Sequence, residues 1–314
     1  MGTPRFAVPS LEMLTLKGYT VSAVVTAPDK PAGRGRRLCE PPVKVFAKES
    51  GIPVLQPARL KDPGFINKLK EADPDIIAVV AFRMLPEEIW SIPPLGCINL
   101  HASLLPSYRG AAPVNHAIMN GEKVTGITTF LIEKEIDTGK ILLQRETEIK
   151  PKETAGELHD RLMVEGARLL EETIEGVLND KLTPVPQHKL LPRPGDGLPA
   201  APKIYKDDCR IDWTKGSGEV FNFIRGLSPY PAAWTVLSEG GDEKTTVKIL
   251  AADKARKEYG SRPGKIHTDN ETFIHVACGS GIIEIKSLQV AGRKRLDAAD
   301  FLRGFSFDES ACFG

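Results

Sequence analysis

Cysteine is scarce and scattered in this 314-residue chain. The five cysteines, at positions 39, 97, 209, 278 and 312, are odd in number and form no CxxC pair, which argues against a disulfide framework and a cysteine-based zinc site. No run of 18 or more apolar residues is present, so no transmembrane helix is expected. The first residues, MGTPRFAVPSLEML, lack the apolar stretch and cleavage site of a signal peptide. A reducing cytoplasm is the expected location.

Net charge is almost absent as well. The chain has 42 Lys and Arg residues against 41 Asp and Glu residues, a formal charge of +1, and the parts before and after residue 202 are each close to neutral. A global positive field that would attract nucleic acid is therefore excluded. Any binding of nucleic acid must use local basic patches.

Motifs of several enzyme classes are also missing. No GxGxxG follows a predicted strand, so a dinucleotide-linked dehydrogenase is a weak alternative. No Ser or Cys lies in a nucleophile elbow. No paired His or carboxylate spacing indicates a metal site, and no metal is expected.

The first part of the chain alternates between predicted strands and helices. Strands are predicted at 19–26, 53–55, 75–81, 95–101, 126–133 and 141–149, and helices at 43–50, 63–72, 113–120 and 154–179. This alternation predicts an α/β domain with a doubly wound, parallel sheet over residues 1–182.

The character of the sequence changes after residue 182. Residues 183–202 contain six prolines and two glycines with almost no periodicity, which predicts a linker. Residues 203–314 then give one helix at 218–226 and several short alternating segments separated by turn signals. These segments predict a small, second domain that is a β-barrel.

The segment CINLHASLLPSYRGAAP at 97–113 carries the candidate chemistry. Alternate residues of a strand share a face, so Asn99 and His101 should point together into the crevice at the end of a parallel sheet. Asp137 follows in an Asp-Thr-Gly turn between two strands. An amide, an imidazole and a carboxylate suit acyl transfer to an external nucleophile, because the first two can stabilise an oxyanion and the third can orient the imidazole and relay a proton.

Structural explanations exist for each of these residues taken alone. Asn99 and His101 could be a satisfied polar pair at a sheet edge, and Asp137 could be an Asx-turn residue. Only their combination favours catalysis.

Longer blocks of sequence now identify a family. These are GTPRFAVPSL at 2–11, PDKPAGRGRRL at 28–38, LPEEIWSIPPLGCINLHASLLPSYRGAAPVNHAI at 85–118, TGITTFLIEKEIDTGKIL at 125–142, KIYKDDCRIDW at 203–213, GLSPYPAAW at 226–234 and LQVAGRKRL at 288–296. The chain resembles the methionyl-tRNA formyltransferases nearly end to end. The Asn-x-His-x-Ser-Leu-Leu-Pro block with the downstream Asp-Thr-Gly marks the wider superfamily of folate-dependent formyltransferases, and the other blocks narrow it to the tRNA enzymes.

The resemblance implies a fold and a reaction. The fold would be a Rossmann-like N-terminal domain followed by an OB-like barrel. The enzyme would transfer the formyl group of 10-formyltetrahydrofolate to the α-amino group of methionine on initiator tRNA, as a cytoplasmic protein that we expect to be a monomer. Asn99 and His101 would hold the developing oxyanion, and Asp137 would set the protonation of His101 and help to take the amine proton.

The resemblance also implies two binding regions. The folate pocket would be lined by Phe6, Met84, Leu85, Pro86, Ser103, Leu104, Leu105 and Pro106. The tRNA would be contacted by two basic segments, whose residues are Lys30, Arg34, Arg36 and Arg37 in the first and Arg293, Lys294 and Arg295 in the second. The first basic segment could instead be a solvated flexible loop, and the barrel could serve stability alone. Trp213 and Trp234 are expected to pack in a core.

The family normally has a short apolar strand just before the Gly-Thr-Pro turn. Here that turn begins at Gly2, so the first strand of the sheet is expected to be missing or nearly so.

Two other functions compete with formylation of tRNA. One is formylation of a glycinamide ribonucleotide or a nucleotide-sugar amine, which the first basic segment and the second domain oppose. The other is an RNA-binding module with an inert α/β half, which the intact Asn99, His101 and Asp137 oppose.

Overall fold

The protein is described from a computed structural model, which covers residues 1–32, 37–190, 197–239, 244–257 and 259–314. Its contacts group the chain into two compact units. Unit 1 comprises Met1–Gly110, Val124–Glu148 and His159–Ala200, and unit 2 comprises Ala111–Lys123, Ile149–Leu158 and Ala201–Gly314. Two short segments of the N-terminal half are thus grouped with the C-terminal half. The domain bounds 1–182 and 203–314 stay a prediction.

Unit 1 holds most of the predicted α/β elements. Its strands are β1 (Val24–Val25), β2 (Lys30–Ala32), β3 (Arg37–Cys39), β4 (Val54–Leu55), β5 (Ile77–Val80), β6 (Cys97–His101), β7 (Arg109–Gly110), β8 (Val124–Leu131) and β9 (Ile141–Glu148). The helices of the N-terminal half are α1 (Val8–Leu16), α2 (Pro42–Glu49), α3 (Pro63–Glu71), α4 (Glu87–Trp90), α5 (Pro113–Met119) and α6 (Ala155–Leu178). Helix α5 and the first turn of α6 are grouped with unit 2.

The main sheet of unit 1 has the strand order β5-β6-β8-β9. Strands β5 and β6 are parallel, as their apolar sequences predict, whereas β8 and β9 continue the sheet in antiparallel pairs. The α/β class and the parallel arrangement are confirmed, and the antiparallel edge is an addition. Strand β6 is therefore central, with Ile98 and Leu100 at most 3% exposed.

A cavity of about 460 Å³ lies beside the parallel strands of unit 1. It is lined by residues 20–25 and 75–78 and by apolar side chains of α1 and α6. Met1 and Gly2 also line it, and Gly2 bridges Val80 in parallel while its N–H donates to Val25 O. Only two residues of the predicted strand 19–26 pair, and they pair with β4. Residues 19–23 of that segment line the cavity and pair with no strand among the described residues.

The first basic segment begins and ends as a β-hairpin. Strands β2 and β3 pair antiparallel, with Lys30 opposite Cys39, and residues 33–36 lie outside the described part of the chain. The Nζ of Lys44, on α2, contacts Asp29 Oδ2 at 2.6 Å and Glu40 Oε1 at 2.9 Å. One buried ammonium thus ties both ends of the hairpin to a helix.

The segment after α6 was predicted to be a linker, but its first part is held in place. Val185 pairs with Ile141 through two backbone hydrogen bonds of 2.8 and 2.9 Å. A 3₁₀ turn then runs over Gln187–Leu190, and the Gln187 side chain is only 3% exposed. Residues 191–196 lie outside the described part, and β10 (Ala200–Ala201) follows.

Unit 2 contains an antiparallel barrel. Its strands are β11 (Ala233–Ser238), β12 (Lys244–Ala255), β13 (Ile266–Thr268), β14 (Ile274–Ala277), β15 (Ile282–Val290), β16 (Leu296–Asp297) and β17 (Cys312–Phe313), with helices α7 (Ser217–Leu227) and α8 (Ala298–Leu302). The order is β13-β14-β15-β12-β11-β17, and a bridge between Lys265 and Cys312 brings the two ends nearly to closure. This confirms the predicted barrel.

The two tryptophans behave differently. Trp213 is 4% exposed, donates from Nε1 to Thr235 Oγ1 at 3.0 Å and stacks on Phe313, so it is a core residue, as expected. Trp234 is only partly buried, although it packs against the same core. Its Nε1 donates to Lys206 O at 2.7 Å, and the Arg210 guanidinium lies over its ring.

Candidate active site

Strand β6 brings the first two candidate residues to one face. Asn99 pairs in register with Val79 of β5 and Phe130 of β8, and His101 is the last residue of the strand, opposite Thr128. His101 therefore lies at the carboxyl end of a central strand, and Asn99 lies two residues before it on the same face. No hydrogen bond to the Asn99 carboxamide is formed by the described residues, which leaves its N–H groups open to a ligand.

The imidazole of His101 is buried and oriented. Its Nε2 lies 2.9 Å from Tyr108 O, and because a carbonyl only accepts, this nitrogen carries a proton. Its Nδ1 faces Asp137 Oδ2 at 3.8 Å. The side chains are 8% and 14% exposed, so the two groups interact with little screening by water. The ring can thus accept a proton at Nδ1 with a carboxylate beside it.

Asp137 lies in the turn between β8 and β9 with a φ of +54°. A left-handed backbone is unusual for a side-chain-bearing residue, although Asp tolerates it better than most. Its Oδ2 accepts a hydrogen bond of 3.0 Å from the N–H of Gly110, which is 27 residues away in the sequence. The Asx-turn interpretation needs a bond to a local N–H, and the observed bond is long-range. The turn instead aims the carboxylate at the end of β6.

The loop after His101 is fixed by buried hydrogen bonds. Ser103 is fully buried and its Oγ donates to Ser107 O at 2.7 Å. Thr128 Oγ1 donates to Ser103 O and accepts from Leu105 N. Leu105 is 2% exposed and packs with Phe130 and Ile141. Pro106 is also buried, while Leu104 is partly exposed.

The other predicted folate residues differ in exposure. Phe6 is 6% exposed and its ring lies 5.0 Å from that of His159. Leu85 belongs to a buried cluster around Ile89, and Pro86 precedes α4. Met84 is 71% exposed. Of the predicted lining, Met84 is thus exposed, Pro86 and Leu104 are partly exposed, and the other residues are buried.

The predicted tRNA-contacting residues fall in two places. Lys30 is exposed in β2, while Arg34 and Arg36 lie outside the described residues, as does the side chain of Arg37. Arg293, Lys294 and Arg295 are all exposed in the turn that joins β15 to β16 in unit 2. The Nε of Arg295 donates to the Oγ of Ser287 in β15 at 2.8 Å. Both basic segments are therefore at the surface where they are described.

Sequence reasoning missed several residues that hold the site. Tyr108 supplies the carbonyl that orients His101, and Gly110 supplies the N–H that binds Asp137. Gln144 Nε2 donates to Leu105 O and Thr128 Oγ1. The two backbone contacts carry no side-chain signal, although the quoted block SYRGAAP contained both residues.

Two features are absent from the described residues. These residues contain no group of three or more His, Cys, Asp or Glu side chains placed to hold a metal ion. They also contain no helix with the length and apolar character to cross a membrane.

Comparisons with known proteins give a consistent result. Residues 1–174 match the model of the family described as formyl transferase, and residues 203–306 match that of the formyl transferase C-terminal domain. A methionyl-tRNA formyltransferase of Parabacteroides distasonis is 48% identical over 306 residues, which is 97% of this chain and 94% of that protein. One from Bacteroides fragilis is 47% identical over 310 residues, covering 99% of this chain and 95% of that protein.

A solved structure adds agreement on the fold. The N-formyltransferase of Helicobacter canadensis, in complex with folinic acid and dTDP-3-aminofucose, aligns over 94% of this chain and 97% of its own, with a TM-score of 0.62 and 20% identity. At that identity the likeness shows the fold alone.

Proposed function

Since the chain belongs to the formyl transferase family, we propose that it transfers the formyl group of 10-formyltetrahydrofolate to the α-amino group of methionine on initiator tRNA. The observation that carries this proposal is the approach of Asp137 to His101, at the end of the strand that carries Asn99 on the same face as His101. The full-length similarity to methionyl-tRNA formyltransferases supports the choice of acceptor. The folinic acid bound by the Helicobacter canadensis protein supports a formyl-folate as donor.

The chemistry follows from the orientation of His101. The neutral amine attacks the formyl carbon, a C–N bond forms, and the carbonyl electron pair moves to the oxygen. The open N–H groups of Asn99 stabilise that oxyanion. His101 Nδ1 takes the amine proton, and the resulting imidazolium is stabilised by the Asp137 carboxylate on one side and by Tyr108 O on the other. The oxyanion then collapses to a carbonyl, the bond between the formyl carbon and N10 of the folate breaks, and N10 takes up the proton that His101 holds.

Recognition of tRNA would use the two basic segments. The sequence 30–39 contains Lys30, which is exposed, and three arginines, and the exposed turn at 293–295 carries three further cations. Because each phosphate contact releases counterions, loss of one contact should reduce the slope of log affinity against log salt by about one unit. We place this reaction in the cytoplasm and expect a monomeric enzyme that uses no metal.

The test is a transfer assay with the purified protein. It uses 10-formyltetrahydrofolate and methionyl-tRNA of either the initiator or the elongator type. Transfer to the initiator alone is the expected result. Equal transfer to both would remove the proposed discrimination. No transfer to either, from a protein that is folded by circular dichroism, would overturn the proposal and favour a nucleotide-sugar or ribonucleotide amine as acceptor.

A further inference from the structure

A buried glutamine lies behind the candidate carboxylate. Gln187 begins the 3₁₀ turn after Val185, and its side chain is 3% exposed. Its Nε2 donates to Asp137 O at 2.8 Å and to Gly139 O at 2.9 Å. Its Oε1 accepts from Arg109, at 3.1 Å from Nε and 2.5 Å from Nη2. Both donors and both lone pairs of the carboxamide are therefore used.

These partners lie on both sides of the Asp137 carboxylate. Two are carbonyls of the turn that carries Asp137, and the third is the residue before Gly110, whose N–H binds Asp137 Oδ2. The Gln187 carboxamide thus links the turn that carries Asp137 to strand β7, whose Gly110 N–H binds the Asp137 carboxylate. All of these residues belong to unit 1.

The turn needs such support. Asp137 has a positive φ, a conformation that costs a side-chain-bearing residue free energy unless the surroundings impose it. Gly139 packs so closely on the end of β8 that an added Cβ would lie 1.7 Å from Leu131 O. Gln187 is itself held by the backbone pairing of Val185 with Ile141. The contacts therefore form a chain from β9 through Gln187 to Asp137.

We propose that Gln187 is a positioning residue for formyl transfer, which holds the Asp137 carboxylate beside His101 Nδ1 during proton transfer. The expected effect on kcat rests on the proposed function, whereas the effect of Gln187 on the position of Asp137 does not depend on the substrate. A carboxamide suits the place because it offers two donors to carbonyls and an acceptor to a guanidinium. A carboxylate would keep the contact to Arg109 but would face two carbonyl oxygens without a proton to donate.

The main test is a double-mutant cycle with Gln187→Glu and Asp137→Asn. We expect Gln187→Glu to lower kcat on the order of 100-fold, since a shift of about 1 Å in a reacting group has an effect of that size, with KM for folate and tRNA within about threefold. In the Asp137→Asn background the same substitution should change kcat by less than about threefold, because it acts through a carboxylate that is already gone. Multiplicative effects would overturn the proposal, as would a loss confined to KM.

Two further measurements separate positioning from folding and from the choice of substrate. The exposed neighbour His188, changed to Ala, is the matched control and should leave both kcat and Tm unchanged. The amide proton of Gly110, followed by NMR, reports its bond to Asp137 without any turnover. We expect its chemical shift to move in Gln187→Glu and to stay in His188→Ala. If the wild-type protein formylates no tRNA, only the proposed function is overturned. If the chemical shift of the Gly110 amide proton does not move in Gln187→Glu, the positioning role is overturned.

Discussion

The Nε2 of His101 lies 2.9 Å from the carbonyl oxygen of Tyr108, and this contact decides which ring nitrogen meets the substrate. Since Nε2 must carry a proton to donate to the carbonyl, Nδ1 is the nitrogen that can gain one. Nδ1 faces Asp137 Oδ2 at 3.8 Å. The protonated ring therefore has Tyr108 O beside Nε2 and the Asp137 carboxylate beside Nδ1. The carboxylate stabilises the ring most strongly when the ring is positively charged.

Replacing Asp137 with Asn tests this relationship. Asn tolerates the left-handed backbone nearly as well as Asp and fills the same space, so the turn should persist. The negative charge beside Nδ1 is lost, and kcat should fall on the order of 100-fold or more, since one preorganised electrostatic contact has an effect of that size. Asp180→Asn is the matched control, because Asp180 has a φ of +52° in an exposed turn after α6. The measurements are the steady-state kcat and the Tm of both variants. A lowered Tm with an unchanged kcat for Asp137→Asn would show that Asp137 only stabilises the turn.

A second prediction concerns the anchor of the basic hairpin. Lys44 bonds Asp29 before β2 and Glu40 after β3, and these hydrogen bonds raise the pKa of Lys44, so it stays charged at any working pH. Lys44→Met should free both ends of the hairpin and raise KM for tRNA on the order of tenfold, with KM for folate unchanged.

Lys48→Met is the control for that variant. Lys48 is more exposed and contacts only Glu40 of the two carboxylates, so its loss leaves the link from Glu40 to Asp29 through Lys44 intact. The two KM values, measured at fixed ionic strength, separate the variants. A matching rise in KM for folate with Lys44→Met would show that α2 supports the whole site and not the hairpin in particular.

The sequence predicted the central features of the fold because they are local or periodic. The segments 75–81 and 95–101 predicted β5 and β6 within two residues at either end, and the amphipathic pattern of 154–179 predicted α6. The shared face of Asn99 and His101 follows from the pleat of one strand.

What the sequence could not show depends on tertiary contacts. The proline-rich segment 183–202 lacks periodicity, yet Gln187 is buried because two segments distant in sequence, the turn at 137–139 and strand β7, present three complementary groups to it. The basic segment was predicted as a loop, and its hairpin strands are fixed by carboxylates that meet one lysine of α2. The predicted strand 19–26 shortens to two residues because a cavity lies where a neighbouring strand would pair.

The amino terminus gives a prediction about stability and pH. In a chain that begins at Met1, the amine is buried and donates to Ala78 O at 2.5 Å, and burial lowers its pKa from 8.0 to about 6. Between these two values the unfolded chain binds the proton more tightly than the folded one. The free energy of unfolding should therefore rise as pH increases from 6 to 8, with a total contribution of about 3 kcal/mol for a shift of this size.

Acetylation of the amine isolates that contribution. The acetylated chain keeps the N–H that donates to Ala78 O but cannot be charged. Urea denaturation of the free and acetylated proteins at pH 6 and at pH 8 should show a gap at pH 6 that closes by pH 8. His267 and His275, whose pKa values burial also lowers, titrate in both forms and cancel in the difference. An equal gap at both pH values would mean that the amine is not the titrating group.

The cavity beside β5 should accept an added strand. Met1 and Gly2 already run parallel to β5, and the cavity continues along residues 20–24 and 75–78 with apolar side chains on both faces. Five residues at roughly 3.3 Å each would run alongside the five lining residues 20–24. Extending the chain before Met1 with five β-branched or aromatic residues should stabilise unit 1 by about 2–4 kcal/mol through burial of apolar surface, and raise Tm by about 4–10 °C.

A Gly-Ser extension of equal length should give little stabilisation, since it supplies no apolar side chains. The apolar extension should also abolish the dependence on pH described above, because the charged amine then lies outside the cavity. A Tm equal to that of the Gly-Ser form would show that the edges of β1 and β5 do not accept a strand.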